Sequence, residues 1–249
     1  MNPILIDYIK RFQKPATHTN DSNNSNPEVD SKFFTSYSLS EHYSKLPYLY
    51  NIENFCLRLH KALKQNQKVC IYSDYDTDAI TATGVMYWGL VELGFKSEQI
   101  SYYAPDRFIE GYGINLEAIK KLAEENDLII SVDCGINSVE EAKYLLSHSC
   151  DLIITDHHLL VGSVPKAIAV CNPRLSDYYN QNDQVNQKTP AIDSGLLKEF
   201  PETSLWLEAV EHSSKNYMSH SVTGVGVAWF VLVWYKYFLQ ALETNLETN

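Results

Sequence analysis

Positive charge is scarce in this chain. Lys and Arg number 20 against 31 Asp and Glu, a net charge of −11, and only four of the basic residues are Arg. That balance argues against a broad basic footprint for duplex DNA. A local site or a bound cation can still reverse the sign locally. Cysteine is sparse too: Cys56, Cys70, Cys134, Cys150 and Cys171. They are odd in number and form no CxxC pair, so neither a disulfide framework nor a zinc ribbon is implied. A reducing, cytoplasmic setting is expected. The N-terminus carries no signal-peptide apolar core. The longest apolar run, 225–235, ends at Lys236 and falls short of the ~20 residues that span a bilayer. No membrane partner is expected.

What remains is an ordinary globular composition: 249 residues, 45% hydrophobic and 20% charged. Residues 1–45 are predicted to form a short helix, 4–12, and a flexible linker rich in Asn, Ser, Thr and Pro. Residues 46–249 are predicted to form one domain. Helical spacing over 46–65 (Ile52, Phe55, Leu59, Leu63) is followed by a regular alternation. Strands are predicted at 69–73, 100–104, 128–132, 152–155 and 167–171. Helices are predicted at 80–93, at 116–123 behind an Asn115 cap, and after Ser138, which forms a capping box with Glu141. Such alternation implies an α/β fold, a three-layer domain with a mostly parallel sheet flanked by helices. Residues 174–221 read as an insertion with one short helix around the apolar patch 205–210. The last element, 225–242, is apolar on nearly all sides and is expected to be buried.

In an open parallel sheet, ligands bind beyond the carboxyl ends of the strands. The first strand runs into Asp74-Tyr75-Asp76-Thr77-Asp78, the third into Asp133-Cys134-Gly135, and the fourth into Asp156-His157-His158. Close carboxylates repel unless a cation neutralises them. Oxygen donors with one or two imidazoles suit Mn²⁺ or Mg²⁺ better than a thiolate zinc site. Two such ions can activate a water and stabilise a leaving oxygen, so metal-assisted phosphoester hydrolysis is the chemistry implied. Each residue also has a plainer reading. An Asp at a strand end often caps a helix, a DxDxD loop can bind calcium, and a His pair can be a core or surface feature. The joint occurrence favours a metal site.

These residues resemble the motifs of DHH phosphoesterases of the RecJ type. The run from Asp74 to Thr83 is similar to the first motif, Ser131 to Ile136 to the second, and Thr155-Asp156-His157-His158 to the third. Pro105-Asp106-Arg107, Glu110-Gly111-Tyr112-Gly113, Asn172-Pro173 and the run from Thr223 to Ala228 resemble further RecJ landmarks. The resemblance implies a two-metal, Mn²⁺- or Mg²⁺-dependent exonuclease that degrades single-stranded DNA from its 5′ end. It implies Asp76, Asp78, Asp133 and His157 as metal ligands, with Asp133 between the two ions. Asp74 and Asp156 would be ligands or would orient them. His158 would contact the scissile phosphate or stabilise the leaving group. Arg107 would hold a phosphate, with a structural ion pair to Glu110 as its plainer role. Gly111 and Gly113 would shape the substrate loop.

The sequence departs from the family pattern in three places. Ala79 stands where Gly is usual, which is harmless if the position opens a helix and strained if it needs positive φ. An Asp-bearing segment and a second, DHHA1-type lobe would follow the last helix in the family, and both are expected to be absent here. Asp183 and Asp193 are weak substitutes for the missing ligand. Without the lobe, the face of the last helix formed by Trp229, Phe230, Val233, Trp234 and Tyr237 is expected to be partly exposed and to serve self-association or a partner subunit. Two other readings stay open: a non-catalytic DHH domain that binds partners, and a phosphoesterase acting on short oligonucleotides or nucleotides.

Overall fold

The computed structural model describes residues 46–182, 192–212 and 217–247. The predicted helix at 4–12 and linker lie outside them. The chain alternates as predicted: α1 (Ile52–Lys64), β1 (Val69–Ser73), α2 (Thr77–Glu92), β2 (Ile100–Tyr103), α3 (Leu116–Glu125), β3 (Leu128–Val132), α4 (Val139–Leu146), β4 (Asp151–Thr155) and β5 (Ala169–Cys171). Three further helices follow, α5 (Leu175–Asn182), α6 (Ser194–Glu199) and α7 (Ser204–His212), and then the long α8 (Gly224–Glu247).

The five strands form one parallel sheet in the order β2-β1-β3-β4-β5. The central strands β1 and β3 are buried on both faces, which is why they read as unbroken apolar runs, while the edge strand β2 is exposed at Ser101 and Tyr102. The order reverses between β1 and β3, and a sheet of this kind opens a crevice at that point. Register then does the placing. Ser73 pairs with Val132, and Val132 with Thr155. The next residue on each strand is therefore Asp74, Asp133 and Asp156, three carboxylates leaving neighbouring strands at one level.

Helix α8 packs on α1 and α2, burying Val227, Ala228, Val231, Trp234, Tyr235 and Phe238. By length and composition alone this helix is long enough and apolar enough to cross a membrane, unlike the shorter apolar run visible in sequence. Its outer face carries Trp229, 49% exposed, and the exposed Lys236. Trp234 departs from expectation: it is buried, and its indole N–H donates to Pro47 O at 2.9 Å.

Two other expectations need correction. Among the described residues, the segment predicted as an insertion with one helix holds three. The helix expected around 205–210 is α7, with Trp206 and Val210 buried; the polar centre of the segment concealed the other two, whose Leu175, Tyr179 and Leu196 are buried. Ser138 precedes α4 but makes no side-chain cap bond. Its ψ of 64° is not the extended geometry that a capping box requires. Asn115 does cap α3, accepting from Glu117 N and Ala118 N.

Candidate metal centre

Asp74, where β1 ends, is buried, and its Oδ1 has no hydrogen-bond partner among the described residues. Burial is the main cause that raises its carboxyl above the usual range, with Asp76 adding to it. Asp76 caps α2, accepting from Ala79 N at 2.9 Å, so the plainer reading holds for one of its oxygens. Ala79 occupies the first turn of that helix and is absent from the residues with positive φ, which makes its departure from Gly harmless.

Asp78 is engaged by α8. Its two oxygens accept from Gly224 N at 2.8 Å and Val225 N at 2.9 Å, the first amides of α8. A carboxylate suits the positive end of a 24-residue helix.

Asp133 sits at φ 59°, a left-handed conformation uncommon outside Gly but tolerated best by Asn and Asp. It is only 1% exposed. Its Oδ1 lies 3.1 Å from His157 Nε2 and 4.0 Å from His158 Nδ1, yet accepts no hydrogen bond among the described residues. Burial first, and the charge of Asp78 second, push the Asp133 carboxyl up to about 7. His157 Nε2 is also 3.8 Å from Asp78 Oδ2.

Asp156 is occupied differently. Oδ1 accepts from the backbone N–H of His157 and of His158 and from His158 Nδ1 at 2.8 Å, while Oδ2 accepts from Ile136 N. A carboxylate can only accept, so His158 Nδ1 carries the proton and Nε2 is left for other partners. The same hydrogen bond holds the His158 imidazole above its ordinary pKa.

Donor atoms of Asp133, His157 and His158 lie within 4.8 Å of one another. Buried carboxylate oxygens without partners are costly unless something completes them. The orphaned oxygens of Asp74 and Asp133 fit a divalent cation, with Asp78 and His157 as the other donors at hand. The bonds to Asp156 are already filled by N–H groups, which suits it to holding His158 in place.

The structure thus brings Asp78, Asp133, Asp156, His157 and His158 together, with Asp74 level with Asp133 by register. It does not bring all the substrate candidates there. Arg107 is exposed, with its guanidinium 5.4 Å from the centre of the Tyr75 ring. The alternative Arg107–Glu110 pair is not formed; Glu110 instead accepts from Asp106 N and Tyr103 Oη. Gly111 and Gly113 have φ of 77° and 86°, so both need glycine, but only Gly113 lines the cavity beside His158. Asp193 caps α6, accepting from Gly195 N and Leu196 N, and Asp183 lies outside the described residues.

Two residues escaped sequence reasoning. Gly224 lies against Asp133, where a Cβ would overlap the carboxylate. Arg174 lines the cavity and donates from Nε to His157 O at 2.8 Å. Both belong to stretches already singled out, the run from Thr223 to Ala228 and the residue after Asn172-Pro173, but as landmarks rather than as parts of the site.

Known proteins resemble this chain in sequence and fold. Single-stranded-DNA-specific exonuclease RecJ of Bacillus subtilis is 43% identical over 118 residues, 47% of this chain and 15% of that protein. RecJ of Salmonella typhimurium is 29% identical over 193 residues, 77% of this chain and 27% of that protein. The chain therefore spans well under a third of the length of these curated relatives. The crystal structure of exonuclease RecJ bound to manganese superposes with a TM-score of 0.55 at 26% identity, covering 85% of this chain and 40% of that one. The parallel sheet flanked by helices is the framework shared with that structure. The match to the DHH family, N-terminal domain, runs over residues 68–195, just over half of the sequence, and the chain belongs to that family.

Proposed function

We propose that this site hydrolyses phosphodiester bonds of single-stranded DNA, releasing nucleotides from the 5′ end, with one or two Mn²⁺ or Mg²⁺ ions. The observation that carries the reading is Asp133. A carboxylate buried to 1% exposure, with an unpartnered oxygen beside Asp78 and His157, is a poor structural device and a good cation ligand. Asp74, Asp76, Asp78, Asp133 and His157 would hold the ions. Bound there, a divalent cation supplies a Lewis acid for the phosphoryl oxygens and lowers the pKa of a water.

The protein's own groups do the remaining work. Asp156 fixes the tautomer and direction of His158. His158, protonated more readily because of Asp156, donates from Nε2 to a phosphoryl oxygen or to the leaving oxygen. Arg107 stands at the exposed edge, suited to a terminal phosphate. The RecJ relatives are named for activity on single-stranded DNA, and that likeness supports the substrate. A second reading, a non-catalytic DHH domain, is favoured by the two amide bonds that already engage Asp78.

The test is hydrolysis of 5′- and 3′-labelled single-stranded DNA with Mn²⁺, with Asp133→Ala as control. Nucleotide release from the 5′ end, reduced at least about 100-fold by Asp133→Ala, supports the proposal. Mn²⁺ binding without turnover marks an incomplete site that needs a partner, and the absence of both turnover and Mn²⁺ binding supports the second reading. Turnover indifferent to Asp133→Ala overturns the site assignment.

A further inference from the structure

The cavity beside His158 has a volume of about 630 Å³. That is the size of a small-molecule site and far more than one phosphate group needs. Tyr112, Ile114, Ile136 and Leu159 give it apolar walls, and Arg174 is the one Lys or Arg side chain that lines it among the described residues. We propose that this cavity is a nucleotide subsite in which Arg174 grips a phosphate while the base lies against Tyr112. The inference rests on the phosphodiester reading of the adjoining metal centre and names the ligand that its neighbour takes.

The placement of Arg174 is built by the chain around it. Asn172, directly after β5, donates from Nδ2 to His158 O at 3.0 Å and accepts from Arg174 N at 2.8 Å. Arg174 then donates from Nε to His157 O. One of its five N–H donors is used and the stem is fixed. Among the described residues, no carboxylate lies within ion-pair distance of it and no partner engages its terminal nitrogens. Arg58 shows the contrast. Its guanidinium is spent on Asp151, Gln67 and the Asp127 carbonyl. A half-buried, pre-oriented guanidinium facing a cavity matches the planar geometry of a phosphate.

The rest of the lining suits a nucleoside. Tyr112 is an exposed ring, set edge-to-face with His158 at 5.7 Å. Nucleobases stack on such rings without regard to sequence. Glu141 also lines the cavity. It opposes a second phosphate and accepts from a sugar hydroxyl or a base amino group. A phosphate on Arg174 and another at Asp133 would flank His158, as successive phosphates of one strand.

The test uses the full chain in EDTA, so that no metal ion contributes to anion binding. Deoxythymidine 5′-monophosphate and thymidine are titrated by calorimetry into the unsubstituted protein, Arg174→Gln and Arg174→Lys. The monophosphate should bind more tightly than thymidine. Arg174→Gln should weaken the monophosphate at least about tenfold and leave thymidine unchanged, with Arg174→Lys between. Mn²⁺ affinity of Arg174→Gln should be unaltered. Equal binding of the two ligands, or monophosphate binding indifferent to Arg174, overturns the proposal. So does a parallel loss of Mn²⁺ affinity, which would make Arg174 a brace for His157. Turnover of DNA without an Arg174-dependent monophosphate site would leave the hydrolase reading standing alone, and the site without turnover would leave this one.

Discussion

Gly224 lies so close to Asp133 that any side chain on it would overlap the carboxylate, while its amide donates to Asp78. The start of α8 is therefore fitted to two carboxylates that the sequence places 55 residues apart in the chain (133 minus 78). Gly224→Ala should displace Asp133 or push α8 away from Asp78. The expected result is an Mn²⁺ affinity at least tenfold weaker and a stability loss of about 1–3 kcal/mol, as for overpacked sites. Gly84→Ala is the control. A Cβ there meets nothing within 4 Å in helix α2, so it should be neutral or stabilise by up to about 1 kcal/mol. Wild-type metal affinity in a folded Gly224→Ala protein would refute the fit.

Asp133 couples metal binding to protons. Its carboxyl stands at about 7 in the metal-free protein, and a cation needs it ionised. Below pH 7 each bound ion must displace a proton, so affinity should rise with pH through that region and level off above it. Calorimetry at pH 6.5 in two buffers of different ionisation enthalpy should show proton release that disappears at pH 8.5. Equal heats in both buffers at pH 6.5 would mean that the carboxylate is already ionised.

Much of this was legible because β1, β3 and β4 are short apolar runs ending in acid. Their register needed only the alternation of strand and helix to place Asp74, Asp133 and Asp156 together. The hydrogen bond from His158 to Asp156 was not read from the sequence, which offered Asp156 as a ligand or an orienter without naming the imidazole it holds. What sequence could not show was long-range packing. Nothing near Gly224 announces that it touches Asp133, and nothing near Arg174 announces a cavity. Trp234 looked like Trp229, but five residues turn a helix about 140° past a full turn, and that puts one indole in the core and the other outside. Of the three helices within 174–221, α7 was expected from the apolar patch 205–210, while α5 and α6 escaped because each is short and their apolar residues are spread across polar sequence.

Helices α2 and α8 pack against each other and leave Trp88 64% and Trp229 49% exposed, with Ile80 exposed on α2. Large apolar side chains grouped on a surface mark an interface. A second copy of the chain is the expected occupant. Light scattering over a rising concentration series should show growing apparent mass, lost in Trp88→Glu/Trp229→Glu. A constant monomer mass throughout would dispose of the idea.

His60 offers a pH test away from the metal centre. It is 2% exposed, its ring lies edge-on to Phe200 and Phe238, and both ring nitrogens lack hydrogen bonds among the described residues. Burial lowers its pKa from 6.5 to about 4, Lys64 adding to the effect and Glu202, 4.0 Å away, opposing it. Above pH 6.5 the ring is neutral whether the chain is folded or not. Between 6.5 and 4 the unfolded chain takes up a proton that the folded one refuses, so stability falls as pH falls. At pH 5 the loss amounts to about 2 kcal/mol. Asp133 acts in the opposite direction over an overlapping range, so the comparison must be made between variants. His60→Leu removes the titration and keeps the packing. Urea unfolding of both proteins at pH 7.5 and 5 should show the variant gaining about 2 kcal/mol on the parent at the lower pH. A difference that stays constant between the two would show that His60 is not held neutral by its burial.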